Sequence, residues 1–135
     1  MTFFDTNILV YYTINQDEKK QKLSQSLIFE AIKENRFFIS HLVMTEYIFI
    51  LSKLKVLEEN HNKILFFSKF IEHNISTNDL LNAYKICKEI DFCKNINDTI
   101  HFVIAQKYCD KLVSFDSDFK KLQNISTIEI EILKI

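Results

Sequence analysis

Five acids in this chain sit in unusual company. Asp5 follows two phenylalanines and precedes an Ile-Leu-Val-Tyr-Tyr run in "MTFFDTNILVYY", and Glu46 lies among Val43, Met44, Tyr47, Ile48 and Ile50. Asp98 opens "NDTIHFVIAQKYC", while Asp116 and Asp118 follow an apolar run in "LVSFDSDF". Stranding a carboxylate among apolar residues is costly unless a proton, hydrogen-bond donors or a cation offset its charge. Each acid also has an ordinary reading. Glu46 fits a solvent boundary, Asp98 complements the dipole of a helix start, and Asp116 and Asp118 fit a turn. Brought together, however, they repel by about 3 kcal/mol per pair at about 5 Å and an effective dielectric near 20. No lysine or arginine adjoins any of the five acids in sequence to offset that. A hard divalent cation would do so, and oxygen-only ligands suit Mg²⁺ or Mn²⁺ rather than zinc. Such acid clusters activate water and stabilise the leaving oxygen in phosphodiester hydrolysis. On this reading Asp5 is a metal ligand.

Whether the acids meet depends on the elements that carry them. Residues 2–5 read as a short buried strand and, after a polar stretch at 15–20, residues 20–34 carry Leu23, Leu27, Ile28, Ala31 and Ile32 at helical spacing. "RFFIS" at 36–40 reads as a second strand, followed by helices over 41–54, 60–73 and 78–91, with Thr77 as the N-cap of the last. His73–Ser76 suits a brief strand, Asn97 the cap of a helix over 98–109, "KLVSF" at 111–115 a strand, and the alternating "STIEIEIL" a final edge strand. Strands separated by helices imply an α/β fold in which a mostly parallel sheet of about 4–5 short strands is flanked by helices. The functional crevice of such folds lies outside the carboxyl ends of the strands. Asp5 and Asp116 end two of them, so both are expected on one sheet edge.

Composition narrows the alternatives. The 135 residues suit one domain spanning 1–135, with no linker, repeat or low-complexity segment. Gly and Pro are absent altogether, which excludes Gly-rich phosphate loops, whose backbone geometry needs glycine. Helices must then end on asparagine, and Asn35, Asn74 and Asn95 are placed to do so. Cys87, Cys93 and Cys109 are odd in number and show no CxxC spacing, as expected of free thiols in a reducing cytosol. The apolar runs are too short for a bilayer span, and the N-terminus does not read as a signal peptide, so a cytoplasmic protein is expected. A net charge of -1 with Arg36 as the only arginine leaves a polyanion-binding face to local patches, such as Lys19, Lys20 and Lys22 or Lys53 and Lys55.

The stretches "FFDTNILVYY", "MTEYIFIL" and "INDTIHFVIAQKYCDKLVSFDSDFKKL" together resemble a PIN domain, and specifically the VapC-type toxins of toxin–antitoxin pairs. The resemblance covers nearly the whole chain and implies a PIN-like three-layer α/β/α fold. It implies that Asp5, Glu46, Asp98 and Asp116 form the acidic metal-binding and catalytic set of a Mg²⁺- or Mn²⁺-dependent endoribonuclease. Asp118 would be an accessory acid, Asn7 and Ser114 would orient the others, and Thr6 reads as a further hydrogen bonder. Cleavage of RNA to a 5′-phosphate and a 3′-hydroxyl, a cognate antitoxin and a homodimer are implied as well. Serine at 114 stands where the family more often has threonine, and the family's usual glycines are missing.

Other side chains receive plainer assignments. His41, His61, His73 and His101 have no zinc-ligand spacing. His101 falls one helical turn after Asp98, but a surface or packing role is the expectation. Phe66, Phe67 and Phe70 are assigned to the core, with an antitoxin or dimer surface as the other use of that helix. A haloacid-dehalogenase-like phosphatase is disfavoured because Asn7 stands where its second acid is needed. A catalytically silent PIN-like binding module remains the alternative to the ribonuclease.

Overall fold

The computed structural model describes residues 1–90 and 96–134. Its four strands are β1 (Thr2–Phe4), β2 (Phe37–Phe38), β3 (Lys111–Ser114) and β4 (Glu129–Ile132), in the order β2-β1-β3-β4. Every pairing is parallel, with Phe3 opposite both Phe38 and Leu112, and Val113 opposite Glu131. All three residues of β1 and both of β2 are buried. Successive strand side chains point to opposite faces, so an unbroken buried run means that both faces of the sheet are covered.

Seven α-helices lie among the described residues: α1 (Thr6–Thr13), α2 (Glu18–Lys33), α3 (His41–Lys53), α4 (His61–Ser68), α5 (Thr77–Ile90), α6 (Ile96–Tyr108) and α7 (Lys120–Gln123). The α/β class and the edge position of β4 match expectation. Helix α1 was not foreseen from the sequence. It begins directly after Asp5, whose carboxylate accepts the Thr6 backbone N–H at 2.8 Å. Thr6, Ile8, Leu9 and Val10 are all buried, because α1 packs against α2, α3 and β3. A helix enclosed on most sides carries no amphipathic stripe, so periodicity could not mark it.

Several boundaries also differ. The α4 helix ends at Ser68 rather than 73 and is preceded by a 3₁₀ turn over Glu58–Asn60. Ser76, not Thr77, caps α5: Ser76 Oγ accepts the Asp79 N–H at 3.1 Å while the Asp79 carboxylate accepts the Ser76 N–H at 2.9 Å, a reciprocal capping box. His73–Ser76 forms no strand. Instead the His73 ring stacks on Tyr108 at 3.9 Å and its carbonyl meets His41 Nδ1 at 3.1 Å. Asn35 adopts the expected left-handed cap (φ 57), and the bond from Arg36 N to Ala31 O completes it. Lys55 takes the same role after α3 (φ 59), whereas Asn74 does not. Asn95 and Cys93 lie outside the described residues; Cys87 and Cys109 are free and buried. No helix among the described residues is long and apolar enough to cross a membrane.

The core is aromatic where the strands meet the helices. Phe3, Phe4, Phe37, Phe38, Phe67 and Phe102 are all buried, so the Phe67 assignment holds. Phe66 is 39% exposed, and Phe70 is only partly buried against the core.

Candidate acidic active site

The parallel sheet delivers Asp5 and Asp116 to the same edge. The Asp5 amide continues the ladder beyond β1, donating to the Val113 carbonyl at 3.0 Å. Its side chain therefore stands beside Ser114, the last residue of β3. Ser114 is fully buried and donates its hydroxyl to Asp5 Oδ2 at 2.6 Å. The same hydroxyl accepts the Asp116 backbone N–H at 2.9 Å and the Asn7 amide at 3.3 Å. Asn7 in turn accepts the Phe115 N–H at 3.4 Å. Asp116 caps the turn over Ser117–Phe119, accepting the Asp118 N–H at 2.9 Å. Asn7 and Ser114 thus tie the ends of two adjacent strands together.

Glu46 and Asp98 reach the same cleft from helices. Glu46 lies on α3 and receives three side-chain donors: Thr6 Oγ1 at 2.5 Å and His101 Nε2 at 2.6 Å, both on Oε1, and Asn97 Nδ2 at 3.0 Å on Oε2. These contacts hold Glu46 below the usual carboxylate range, so it is the ionised acceptor and His101 Nε2 the donor. Asp98 opens α6 and is buried. Asp5, Thr6, Asn7, Glu46, Asp98 and Asp116 all line one cleft of about 680 Å³. Asp118 is exposed, yet one of its carboxylate oxygens lies within 4.8 Å of one from each of Asp98 and Asp116. Single ligand atoms of Asp5, Glu46 and His101 form a second group within the same limit.

The charges interact as this geometry requires. Burial, above all, and then the charge of Asp5 push the Asp98 carboxyl up to about 7; Asp116 and Glu46 act in the same direction and His101 against it. Asp5 is also raised, chiefly by burial, against the pull of His101, Ser114 and the Thr6 N–H. For Glu46, burial is outweighed by the His101, Thr6 and Asn97 contacts, which hold it below the usual carboxylate range. An oxygen-rich cluster in which burial and neighbouring carboxylates oppose the ionisation of Asp5 and Asp98 suits a hard divalent cation, which offsets both.

Two residues differ from their sequence assignments. His101 is neither a surface nor a simple packing residue: it is fully buried and bonded to Glu46. Its position one turn after Asp98 was the available signal, since residues three apart share a helix face. Asn97 lies inside α6 rather than capping it, and its amide holds Glu46. Of the basic residues, Lys53 lines the cleft beside Phe49, and Lys20 Nζ stands 4.9 Å over the ring of the cleft residue Tyr11. Arg36 instead pairs with Glu34 at 2.7 Å and reaches Thr2, at the opposite, amino end of β1.

Comparison with known proteins agrees with the fold. The sequence model of the PIN domain matches residues 2–125. No curated protein matches the chain. Among solved structures, a chain of VapBC2 from Rickettsia felis, bound to a DNA fragment from their promoter, superposes with a TM-score of 0.71 at 21% identity, covering 98% of both chains. A chain of FitAB bound to an IR36 DNA fragment gives a TM-score of 0.69 at 16% identity, covering 100% of this chain and 99% of that one. A chain of DNA-bound VapBC from Salmonella typhimurium gives 0.67 at 18% identity, covering 97% and 96%.

Proposed function

Because the chain belongs to the PIN domain family, we propose that it is a Mg²⁺- or Mn²⁺-dependent endoribonuclease and the toxin of a toxin–antitoxin pair. The observation that carries this reading is the convergence of Asp5, Glu46, Asp98 and Asp116 on one cleft from four separate elements. These four carboxylates would hold the cation, with Asp118 at the rim. When bound, the cation offsets the charge of the scissile phosphodiester and of the oxygens that take up charge during hydrolysis.

The chain's own residues do the rest. Ser114 and Asn7 fix Asp5 relative to Asp116, and Thr6 and Asn97 fix Glu46, so the acids are held before substrate arrives. Tyr11, Phe49 and Lys53 line the cleft walls, where ring faces suit stacked bases and the ammonium suits a phosphate. RNA is the expected substrate by family resemblance. An antitoxin partner is supported by the VapBC and FitAB complexes among the structural neighbours. Exposed apolar side chains offer it a surface: Phe29 is 68% and Phe66 39% exposed beside one groove. A second copy of the chain is the other partner expected.

The test is incubation of the purified protein with a mixed RNA pool and Mn²⁺, beside Asp5→Asn and an EDTA control. Cleavage that is lost in both controls supports the ribonuclease. Protein that binds Mn²⁺ yet cuts no RNA overturns it in favour of a silent binding module.

A further inference from the structure

His101 is the one basic side chain buried inside the acid cluster among the described residues, and its ring can play either of two roles there. It can be a nitrogen ligand, since its ligand atom lies within 4.8 Å of those of Asp5 and Glu46. Alternatively, it can be a donor that shapes the carboxylates. We propose that His101 is a positioning residue: its Nε2–H occupies Glu46 Oε1, so that Glu46 meets a cation through Oε2, and the ring itself is not a ligand. This rests on the reading that the acids hold a divalent cation.

Three observations carry it. The two donors on Oε1, Thr6 at 2.5 Å and His101 at 2.6 Å, fill the two lone-pair directions of that oxygen. Oε2 has one side-chain donor, Asn97 at 3.0 Å, which leaves it a lone pair. Second, His101 Nδ1 is buried with no hydrogen-bond partner among the described residues. A histidine that ligates through Nε2 must carry its proton on Nδ1, and such rings almost always donate that proton to an acceptor. No acceptor among the described residues meets Nδ1, so ligation through Nε2 would require a buried, unpaired N–H there, whereas donation through Nε2 requires no proton on Nδ1. Third, the ring is held. It is 0% exposed and lies 5.5 Å from the Phe3 ring, so it has no room to swing away from Glu46.

The experiment follows the histidine ring nitrogens of the ¹⁵N-labelled full chain by NMR, before and after addition of Mg²⁺. The expected result is a proton on Nε2 in both states, while resonances of the acid cluster shift with Mg²⁺. Loss of the Nε2 proton on Mg²⁺ addition would make His101 a ligand and overturn the proposal. Mn²⁺ binding then separates the roles in variants. His101→Leu should weaken affinity about 10- to 100-fold without changing the number of ions bound. His101→Gln, whose amide N–H can still reach Glu46, should recover most of it. Unchanged affinity in His101→Leu, or loss of one bound ion in both variants, would also overturn the proposal. Should the leucine variant fail to fold, the glutamine variant and the wild-type spectra decide. Wild-type protein that binds neither ion would defeat the metal reading itself, which is a different outcome from metal bound with His101 indifferent.

Discussion

The Ser114 hydroxyl sits 2.6 Å from Asp5 Oδ2 although 109 positions separate the two residues in the chain. The contact exists because β3 pairs in parallel with β1 and ends one residue beyond it, placing Ser114 against the first residue after β1. A single hydroxyl thereby sets the distance between the Asp5 carboxylate and the Asp116 backbone.

Removing that hydroxyl is expected to disorder the acids without unfolding the protein. Ser114→Ala should lower RNA cleavage roughly 10- to 100-fold, as loss of an outer-shell partner usually does. Ser114→Thr, which keeps the hydroxyl, should stay within a few-fold of wild type. Single-turnover cleavage of the two variants checks this, and equal activity in all three proteins would remove Ser114 from the site.

Asp98 gives a pH signature in metal-free protein. Its carboxyl is raised from 3.8 to about 7, so its favourable contribution to folding is full below the unfolded value and is lost as pH rises through the folded one. The upper limit of that loss is about 4 kcal/mol. In EDTA, the Tm should therefore fall between about pH 4 and pH 7, and Asp98→Asn should melt higher than wild type at the alkaline end. Saturating Mn²⁺ should offset much of the wild-type deficit, because a ligand bound only to the native state at 100 times its Kd adds about 2.7 kcal/mol. Thermal melts across this pH range, with and without metal, test it.

Lys53 is the cleft ammonium best placed to meet a phosphate. Lys53→Ala should weaken RNA binding by a catalytically dead Asp5→Asn protein and flatten the salt dependence of log Kd by about 0.7, the loss of one single-strand phosphate contact. Arg36→Ala, at the other end of the sheet, should do neither. Binding isotherms at several salt concentrations distinguish the two.

Asp79 offers a stability test away from the cleft. It completes the capping box with Ser76 and bonds Lys107 at 3.3 Å, joining the start of α5 to α6. Burial raises its carboxyl, but the Ser76 donors and Lys107 outweigh that and hold it low, so its contribution is present above its unfolded value and lost as pH falls through its folded one. Asp79→Ala should cost about 1–2 kcal/mol at neutral pH and less below about pH 4, with RNA cleavage unchanged. Urea unfolding at both pH values measures the difference.

The sequence by itself determined the acids, the alternation of strands and helices, and the strand-to-turn positions of Asp5 and Asp116, because these depend on local pattern. It also marked Asn35 as a left-handed helix end, since a short polar side chain tolerates that backbone. It did not mark α1, whose enclosure erases the apolar stripe, nor the Lys55 cap, where the bond from Val56 N–H to the Leu51 carbonyl closes the helix through a residue type that disfavours positive φ. The tertiary structure alone decided what each acid touches. Glu46 on α3 and His101 on α6 are 55 positions apart, and Thr6 and Asn97 come to them from α1 and from the start of α6. Hydrogen-bond partners at such separations are set by how helices pack on the sheet rather than by spacing along the chain. A lone histidine on an apolar helix therefore looked like packing until the fold placed an ionised carboxylate beside it.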